Sequence, residues 1–263
     1  MSDLLPTRLL LISDLHLQPG RPDITQAFLW FLQHKARGAD QLLILGDFFE
    51  YWIGDDAPLP PADEVSLACR ELADSGTKIF FQAGNRDFLI GSDWLAQSAI
   101  QPLPELCLWP FPDGQLSLLL HGDQLCTQDL AYQTFRQQVR QPAWQNAFLQ
   151  RPINERRALA EQLRSESQAQ SQYKAEAIMD VELSAVLKAL TTAQVDRMIH
   201  GHTHRPAHHL LEQQDGSQAE RWVLGDWDKL GWYLEANPSG LKLISFDLTC
   251  LQPGAQHQTG TPL

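Results

Sequence analysis

Short apolar runs punctuate the chain, and each is followed at once by a polar cluster. The runs LLLIS before Asp14, LLIL before Gly46, IFFQA before Gly84, LSLLL before His121 and MI before His200 are rich in aliphatics. They are too short for helices and end at Gly, Asp or His, so they predict buried strands. Strands are expected at residues 8–13, 41–45, 78–82 and 116–120. Between the first two the period lengthens: Ile24, Ala27, Phe28 and Phe31 recur at i, i+3, i+4 and i+7, with Asp23 placed to cap. Residues 65–74 read as a second helix, so the N-terminal part is a βαβ-type layer.

After the fourth strand the pattern changes to a long helical stretch rich in Gln, Arg and Ala, divided by Pro142 and Pro152. Residues 129–179 are expected to form a helical insertion lobe between two core strands, emerging beside the His121 cluster and able to cover it. A further helix follows, with Asp180 as its cap and Leu183, Val186, Leu187 and Leu190 on one face. From Arg205 onward AHHLL, RWVLGD, WYLEA and LKLISFDL read as antiparallel strands. The expected fold is α/β, a two-layer β-sheet core flanked by helices with a helical insertion lobe. Residues 1–128 and 180–252 would form the core, 129–179 the lobe and 253–263 a frayed tail.

Length and composition fit this picture: 263 residues at 43% hydrophobic suffice for one substantial core. The start, MSDLLPTRLLLISD, lacks the basic flank and cleavage site of a signal peptide, and no run reaches the roughly 20 apolar residues of a membrane span. A cytoplasmic protein is expected. Cys69, Cys107, Cys126 and Cys250 are scattered and read as reduced thiols. A net charge of −12 argues against nucleic acid as the main partner. The stretch 130–178 differs, with seven basic residues (Arg136, Arg140, Arg151, Arg156, Arg157, Arg164, Lys174) against four acidic ones.

The chemistry lies in Asp14-Leu15-His16, Gly46-Asp47, Gly84-Asn85-Arg86-Asp87, His121-Gly122-Asp123 and Gly201-His202-Thr203-His204. Each follows a strand, where open α/β sheets collect ligands. Asp14 and His16 are two residues apart, so an extended segment would put both on one face; His202 and His204 have the same spacing. Asp47 has two oxygens with which to bridge two cations, Asn85 adds a neutral oxygen and His121 an imidazole. Alone, Asp14 or Asp47 is a turn residue, His16 a loop histidine, and Gly84-Asn85 a tight turn. Together, in matching order at one sheet edge, they point to a two-metal site. The donors are all N and O, which favours Mn²⁺, Fe or a catalytic Zn²⁺.

In this order the clusters resemble the signature of calcineurin-like metallophosphoesterases, from about residue 8 to 205. The resemblance implies one metal held by Asp14, His16, Asp47 and His204, and a second held by Asp47, Asn85, His121 and His202. Arg86 would meet phosphate oxygens as charge builds on them, with a salt bridge to Asp87 or Asp123 as the plainer alternative. Longer stretches narrow it: GDFFEYWIGDD, GNRDFLIG, HGDQLCTQDLAYQ, SQYKAEAIMDV, HGHTHRP and RWVLGDW resemble the UDP-2,3-diacylglucosamine hydrolase family. That resemblance implies a Mn²⁺-dependent pyrophosphate hydrolase attacking the α-phosphorus of UDP-2,3-diacylglucosamine in lipid A synthesis, peripheral to the inner membrane and monomeric. It implies substrate contacts at Asn85, Arg86, Asp129, Ser167, Ser171, Lys174 and His202. Tyr132, Phe135, Val139, Trp144, Phe148 and Leu149 could line an acyl groove or simply pack the lobe. The competing readings are a cyclic-nucleotide or dinucleoside polyphosphate hydrolase and a metal-free scaffold; an intact ligand set weighs against the scaffold.

Overall fold

The computed structural model describes residues 5–173, 180–213 and 215–248. One six-stranded sheet contains β1 (Leu9–Ile12), β2 (Gln41–Leu45), β3 (Lys78–Gln82), β4 (Ile100–Leu103), β10 (Leu230–Asn237) and β11 (Gly240–Asp247), in the spatial order β11-β10-β1-β2-β3-β4. A second, five-stranded sheet contains β5 (Cys107–Pro110), β6 (Leu116–Leu119), β7 (Arg197–His200), β8 (Ala207–Glu212) and β9 (Gln218–Val223), ordered β5-β6-β7-β9-β8. The central strands β1, β2, β3 run parallel in one sheet and β6, β7, β9 in the other.

The apolar runs do not alternate with polar residues because both faces of these strands are covered. Side chains alternate along a strand. Leu10, Ile12, Leu42, Ile44, Ile79 and Phe81 belong to a core shared with helices α1 (Pro22–Phe31), α2 (Ala62–Asp74) and α3 (Ser92–Gln97). Leu9, Leu11, Leu43, Leu45 and Phe80 instead meet Phe111, Leu119, Ile199, Trp222 and Leu224, the core between the two sheets. On the far side of the second sheet, Leu118, Leu120 and Met198 pack against Val186 and Leu190 of a helix spanning Leu183–Ala193. From one side to the other the layers are thus helix, sheet, sheet and helix, as the apolar pattern implied.

Among the described residues four α-helices lie between β6 and β7 in sequence: α4 (Leu130–Val139), α5 (Pro142–Leu149), α6 (Ile153–Tyr173) and the helix Leu183–Ala193, which is α7. They are fastened to the core. Val139 and Phe148 are each only 3% exposed, Phe148 sits in the core shared with α1 and α2, and Trp144 stacks on it at 5.2 Å. Leu149 stays exposed and Phe135 half-buried. Four basic residues of the 130–178 stretch are paired with carboxylates: Arg136 with Asp123 and Glu105, Arg140 with Glu105, Arg156 with Asp56 and Arg164 with Glu50.

Several expectations change. Asp23 does not cap α1: Pro22 opens the helix, Asp23 lies in its first turn and Arg21 grips it at 2.8 Å. Asp180 does not cap α7 either; it accepts from Val181 N and from Arg205, and Glu182 holds the cap position without a side-chain bond. The strands β4 and β5 and the helix α3 were not anticipated. The C-terminal strands are not one antiparallel set. β8 and β9 form a hairpin whose β9 pairs with β7 in parallel, whereas the hairpin of β10 and β11 crosses to the other sheet and pairs with β1.

Phe28 is fully buried and meets Phe48 and Trp227 edge-on at 5.1 and 6.3 Å. Phe28→Ala should therefore cost about 3–5 kcal/mol and lower the melting temperature by roughly 10 °C. Leu67→Ala, at a position 60% exposed, should stay within about 0.5 kcal/mol; equal effects in thermal melts would contradict this core.

Candidate metal centre

The seven expected ligands converge, but from two sheets rather than one edge. Asp14 and His16 follow β1, Asp47 follows β2 and Asn85 follows β3, whereas His121 follows β6 and His202 and His204 follow β7. Among the described residues, Asp14, His16 and His204 present donor atoms within 4.8 Å of one another, and so do Asp14, Asp47 and His121. Asn85 adjoins the second group, with its Oδ1 at 2.9 Å from His121 Nε2 and 3.0 Å from His202 Nδ1. Asp47 faces both ways: Oδ2 lies 3.9 Å from His16 Nε2 and Oδ1 lies 3.5 Å from His121 Nε2.

Backbone conformation aims these groups. Asp14, His16, Asp47, His202 and His204 all have φ between 49° and 67°, the left-handed region that costs a non-glycine residue of order 1 kcal/mol or more. The pairs Asp14/His16 and His202/His204 therefore do not reach one cation by strand alternation. The chain turns sharply at each of these five residues, and main-chain bonds brace the turns: Asp14 N donates to Gly46 O at 3.1 Å and His16 N to Asp47 O at 3.0 Å. The glycines of the motifs permit the approach. A Cβ on Gly84 would run into the Asp47 carboxylate, and one on Gly201 into Ser13 and Asp14.

Surrounding groups fix the rings. His121 Nδ1 donates to Leu45 O at 2.8 Å across the two sheets, leaving Nε2 toward the site. His204 has Nδ1 at 3.5 Å from Asp226 and His16 has Nδ1 at 3.3 Å from Glu50. Ser13 Oγ and His202 N both donate to Asp14 Oδ2, at 2.5 and 2.9 Å. Asp87 joins two ligand loops by accepting from Phe48 N at 2.6 Å and Gly84 N at 2.8 Å. Asp123 accepts from Tyr132 Oη at 2.5 Å and Arg136 Nε at 2.7 Å. Sequence reasoning missed Glu50, Asp226 and Ser13; the first two lay inside the longer motifs with nothing to mark them.

The charges are those of a cation site. Burial alone would raise Asp14 and Asp47, but His204 and His121 outweigh it and hold both carboxylates far below their usual range. Burial opposes charging His121 and His204, yet Asp47 and Asp14 lift them to about 10 and about 9. His202, buried and next to His121, falls to about 4. Burial, with Asp47 nearby, lifts Asp87 to about 7. Asp14 Oδ1 is buried without a hydrogen-bond partner, and His16 and His204 bring their Nε2 atoms to 3.3 Å of each other. A buried orphan carboxylate oxygen facing converging imidazoles fits a divalent cation.

The other expected contacts fare differently. Arg86 makes no salt bridge with Asp87 or Asp123: the first is engaged by backbone N–H groups and the second by Tyr132 and Arg136. Its Nε is buried with no hydrogen-bond partner among the described residues, and its backbone N–H donates to Asp47 Oδ1 at 2.9 Å. Asp129 caps α4, accepting from Tyr132 N at 3.1 Å. Ser167 and Ser171 lie in α6, but their side chains and all of Lys174 fall outside the described residues.

With this geometry established, comparison places the chain: it belongs to the calcineurin-like phosphoesterases, whose family model matches residues 7–206. The paired clusters on this fold are consistent with a dinuclear metal-dependent hydrolase. Within that family it is closely related to UDP-2,3-diacylglucosamine hydrolases. It is 51% identical over 228 residues to that of Marinobacter nauticus, covering 87% of this chain and 93% of the relative. To the Cellvibrio japonicus and Pseudomonas fluorescens proteins of that name it is 48% identical over 239 residues and 47% over 250, covering 91% and 94% of this chain and 99% and 100% of theirs.

Two outcomes follow. Below about 9 and 10, His204 and His121 carry protons that a cation must expel, so Mn²⁺ affinity should rise with pH between 7 and 8, by up to about a hundredfold per unit. Calorimetry in buffers of different ionisation heat would read the released protons; a pH-independent affinity would refute this. Gly84→Ala should abolish high-affinity Mn²⁺ binding while the far-UV spectrum persists.

Proposed function

We propose that this protein hydrolyses the pyrophosphate bond of UDP-2,3-diacylglucosamine in lipid A biosynthesis. Water attacks the α-phosphorus, the bond from it to the bridging oxygen breaks, and UMP and 2,3-diacylglucosamine 1-phosphate (lipid X) leave. The observation that carries this reading is the near-half identity to hydrolases of that name along nearly the whole chain. The convergent donor set supports it.

In this reading Asp14, His16, Asp47 and His204 hold one cation, and Asp47, Asn85, His121 and His202 hold the other. Two Mn²⁺ ions, with Fe or Zn²⁺ as alternatives, would supply a water of lowered pKa and polarise the phosphate oxygens. The chain supplies the rest. Arg86, whose Nε is buried with no hydrogen-bond partner among the described residues, is suited to oppose charge building on the phosphate oxygens. Asn85 and His202 also meet the substrate from the ligand loops. Asp129, Ser167, Ser171 and Lys174, from the stretch 129–179 that the sequence marks as a helical insertion, would contribute the remaining substrate contacts. Because Val139, Trp144 and Phe148 are taken up in packing, the acyl chains fall to the half-buried Phe135 and exposed Leu149. The protein works as a monomer at the cytoplasmic face of the inner membrane, without nucleic acid. Among the described residues no helix is long and apolar enough to cross a membrane, in keeping with peripheral attachment.

The test is UMP release from UDP-2,3-diacylglucosamine by chelated protein with and without added Mn²⁺, with bis-p-nitrophenyl phosphate as a generic ester. Mn²⁺-dependent UMP release is expected. Hydrolysis of the generic ester alone would reject the substrate. Asp47→Ala should lose turnover while folded, and Arg86→Ala should lower kcat about 10²–10³-fold with Mn²⁺ affinity retained.

A further inference from the structure

Glu50 is not among the expected ligands, yet it lies between two parts of the molecule that the sequence keeps far apart. It follows Asp47 by three residues, its side chain is 10% exposed, and its N–H is fixed to Leu17 O at 3.2 Å. One carboxylate oxygen, Oε2, faces His16 Nδ1 at 3.3 Å. The other, Oε1, faces Arg164 Nε on α6 at 2.8 Å. Arg164 also donates to Gln18 Oε1 at 3.4 Å, two residues past His16. His16 in turn directs Nε2 at His204 and Asp47. We propose that Glu50 is a positioning residue that couples the seating of α6 to the orientation of His16.

The physical case rests on the contacts of one carboxylate. A short, backbone-anchored side chain with one oxygen on an imidazole and one on a guanidinium cannot relocate toward one without leaving the other. Removing Arg164 leaves a mostly buried carboxylate with one partner, and the nearest way to recover is to shift toward His16 and turn its ring. Groups behind a ligating histidine set its ring orientation and basicity. Arg156 provides the contrast: it also ties α6 to the core, through Asp56 and Ile53 O, but neither partner touches a cluster residue. If what matters were only that α6 stays docked, both ties would act alike.

The inference rests on the metal-site reading but not on the lipid substrate, so its test uses Mn²⁺ and a generic ester. Mn²⁺ affinity of the chelated full chain would be measured for wild type, Glu50→Ala, Glu50→Gln, Arg164→Met, Glu50→Ala/Arg164→Met and Asp56→Asn, with kcat and KM for bis-p-nitrophenyl phosphate alongside. Glu50→Ala should weaken Mn²⁺ binding about 10–100-fold, and Glu50→Gln should restore part of it. Arg164→Met, which touches no cluster residue, should still weaken binding at least about threefold and lower kcat more than it raises KM. The double variant should be no worse than Glu50→Ala, the signature of one coupled unit. Asp56→Asn should leave Mn²⁺ affinity unchanged. Unchanged affinity in Arg164→Met, additive losses in the double variant, or an equal loss in Asp56→Asn would each overturn the coupling. Absence of Mn²⁺ binding by wild type would remove the metal reading and this inference with it, whereas failure on UDP-2,3-diacylglucosamine alone would leave it standing.

Discussion

Placing the carboxylates of Asp14 and Asp47 almost wholly out of water, at 0% and 2% exposure, costs several kcal/mol per ion unless opposite charge meets them. Much of the architecture answers that demand. The ends of two sheets are brought together so that imidazoles from the second face carboxylates from the first. Glycines remove the side chains that would keep the loops apart, and five residues accept left-handed backbone so that their donors turn inward. Without a cation, His121 and His204 carry the compensating charge. A site with this balance is held together by positive charge, whether imidazole protons or a cation supply it.

A ring of groups behind the donors makes the arrangement specific. Leu45 O, Glu50 and Asp226 address the rear nitrogens of three histidines, while Asp87 and Ser13 tie down loops and a carboxylate oxygen. The helices between β6 and β7 are fastened to this ring by arginines. Arg140 donates to Gly84 O beside Asn85, Arg136 binds Asp123 two residues from His121, and Arg164 reaches Glu50. Three of the seven basic residues of the stretch are therefore spent on internal contacts with these loops.

The central strands could be read from the sequence because they are covered on both faces and so consist of little but aliphatic and aromatic residues; Gln41–Leu45 and Lys78–Gln82 match residue for residue. The strands that escaped, Ile100–Leu103 and Cys107–Pro110, carry prolines and polar positions and sit at sheet edges, where one side of the ladder needs no partner. Their identity comes from pairing, which local pattern does not contain. The two-layer core was legible, but which strand joins which sheet was not, because β-strands of either sheet end in similar motifs. That Asp14, His16, Asp47 and His204 converge was legible from residue type and order, but their conformation was not: spacing suggested extended backbone, and the left-handed turns depend on loops from distant strands. Glu50 and Asp226 look like any acidic loop residue until the histidines stand beside them.

The crossing of the last hairpin bears on how the chain comes into being. β1 lies between β2 and β10, pairing with Leu234, Glu235 and Ala236, and Arg8 reaches Glu235 across 227 residues of sequence. The first strand thus leaves the ribosome long before its second neighbour exists, with one edge of its hydrogen-bonding ladder open through most of synthesis. Helices α1 and α2 can cover one face of the nascent sheet early, since they are local to it. The Asp14 loop is different. It acquires the bond from Trp227 N to its carbonyl and its contact with His204 only from later parts of the chain, so the acidic half of the centre is made first and waits for part of the charge that neutralises it.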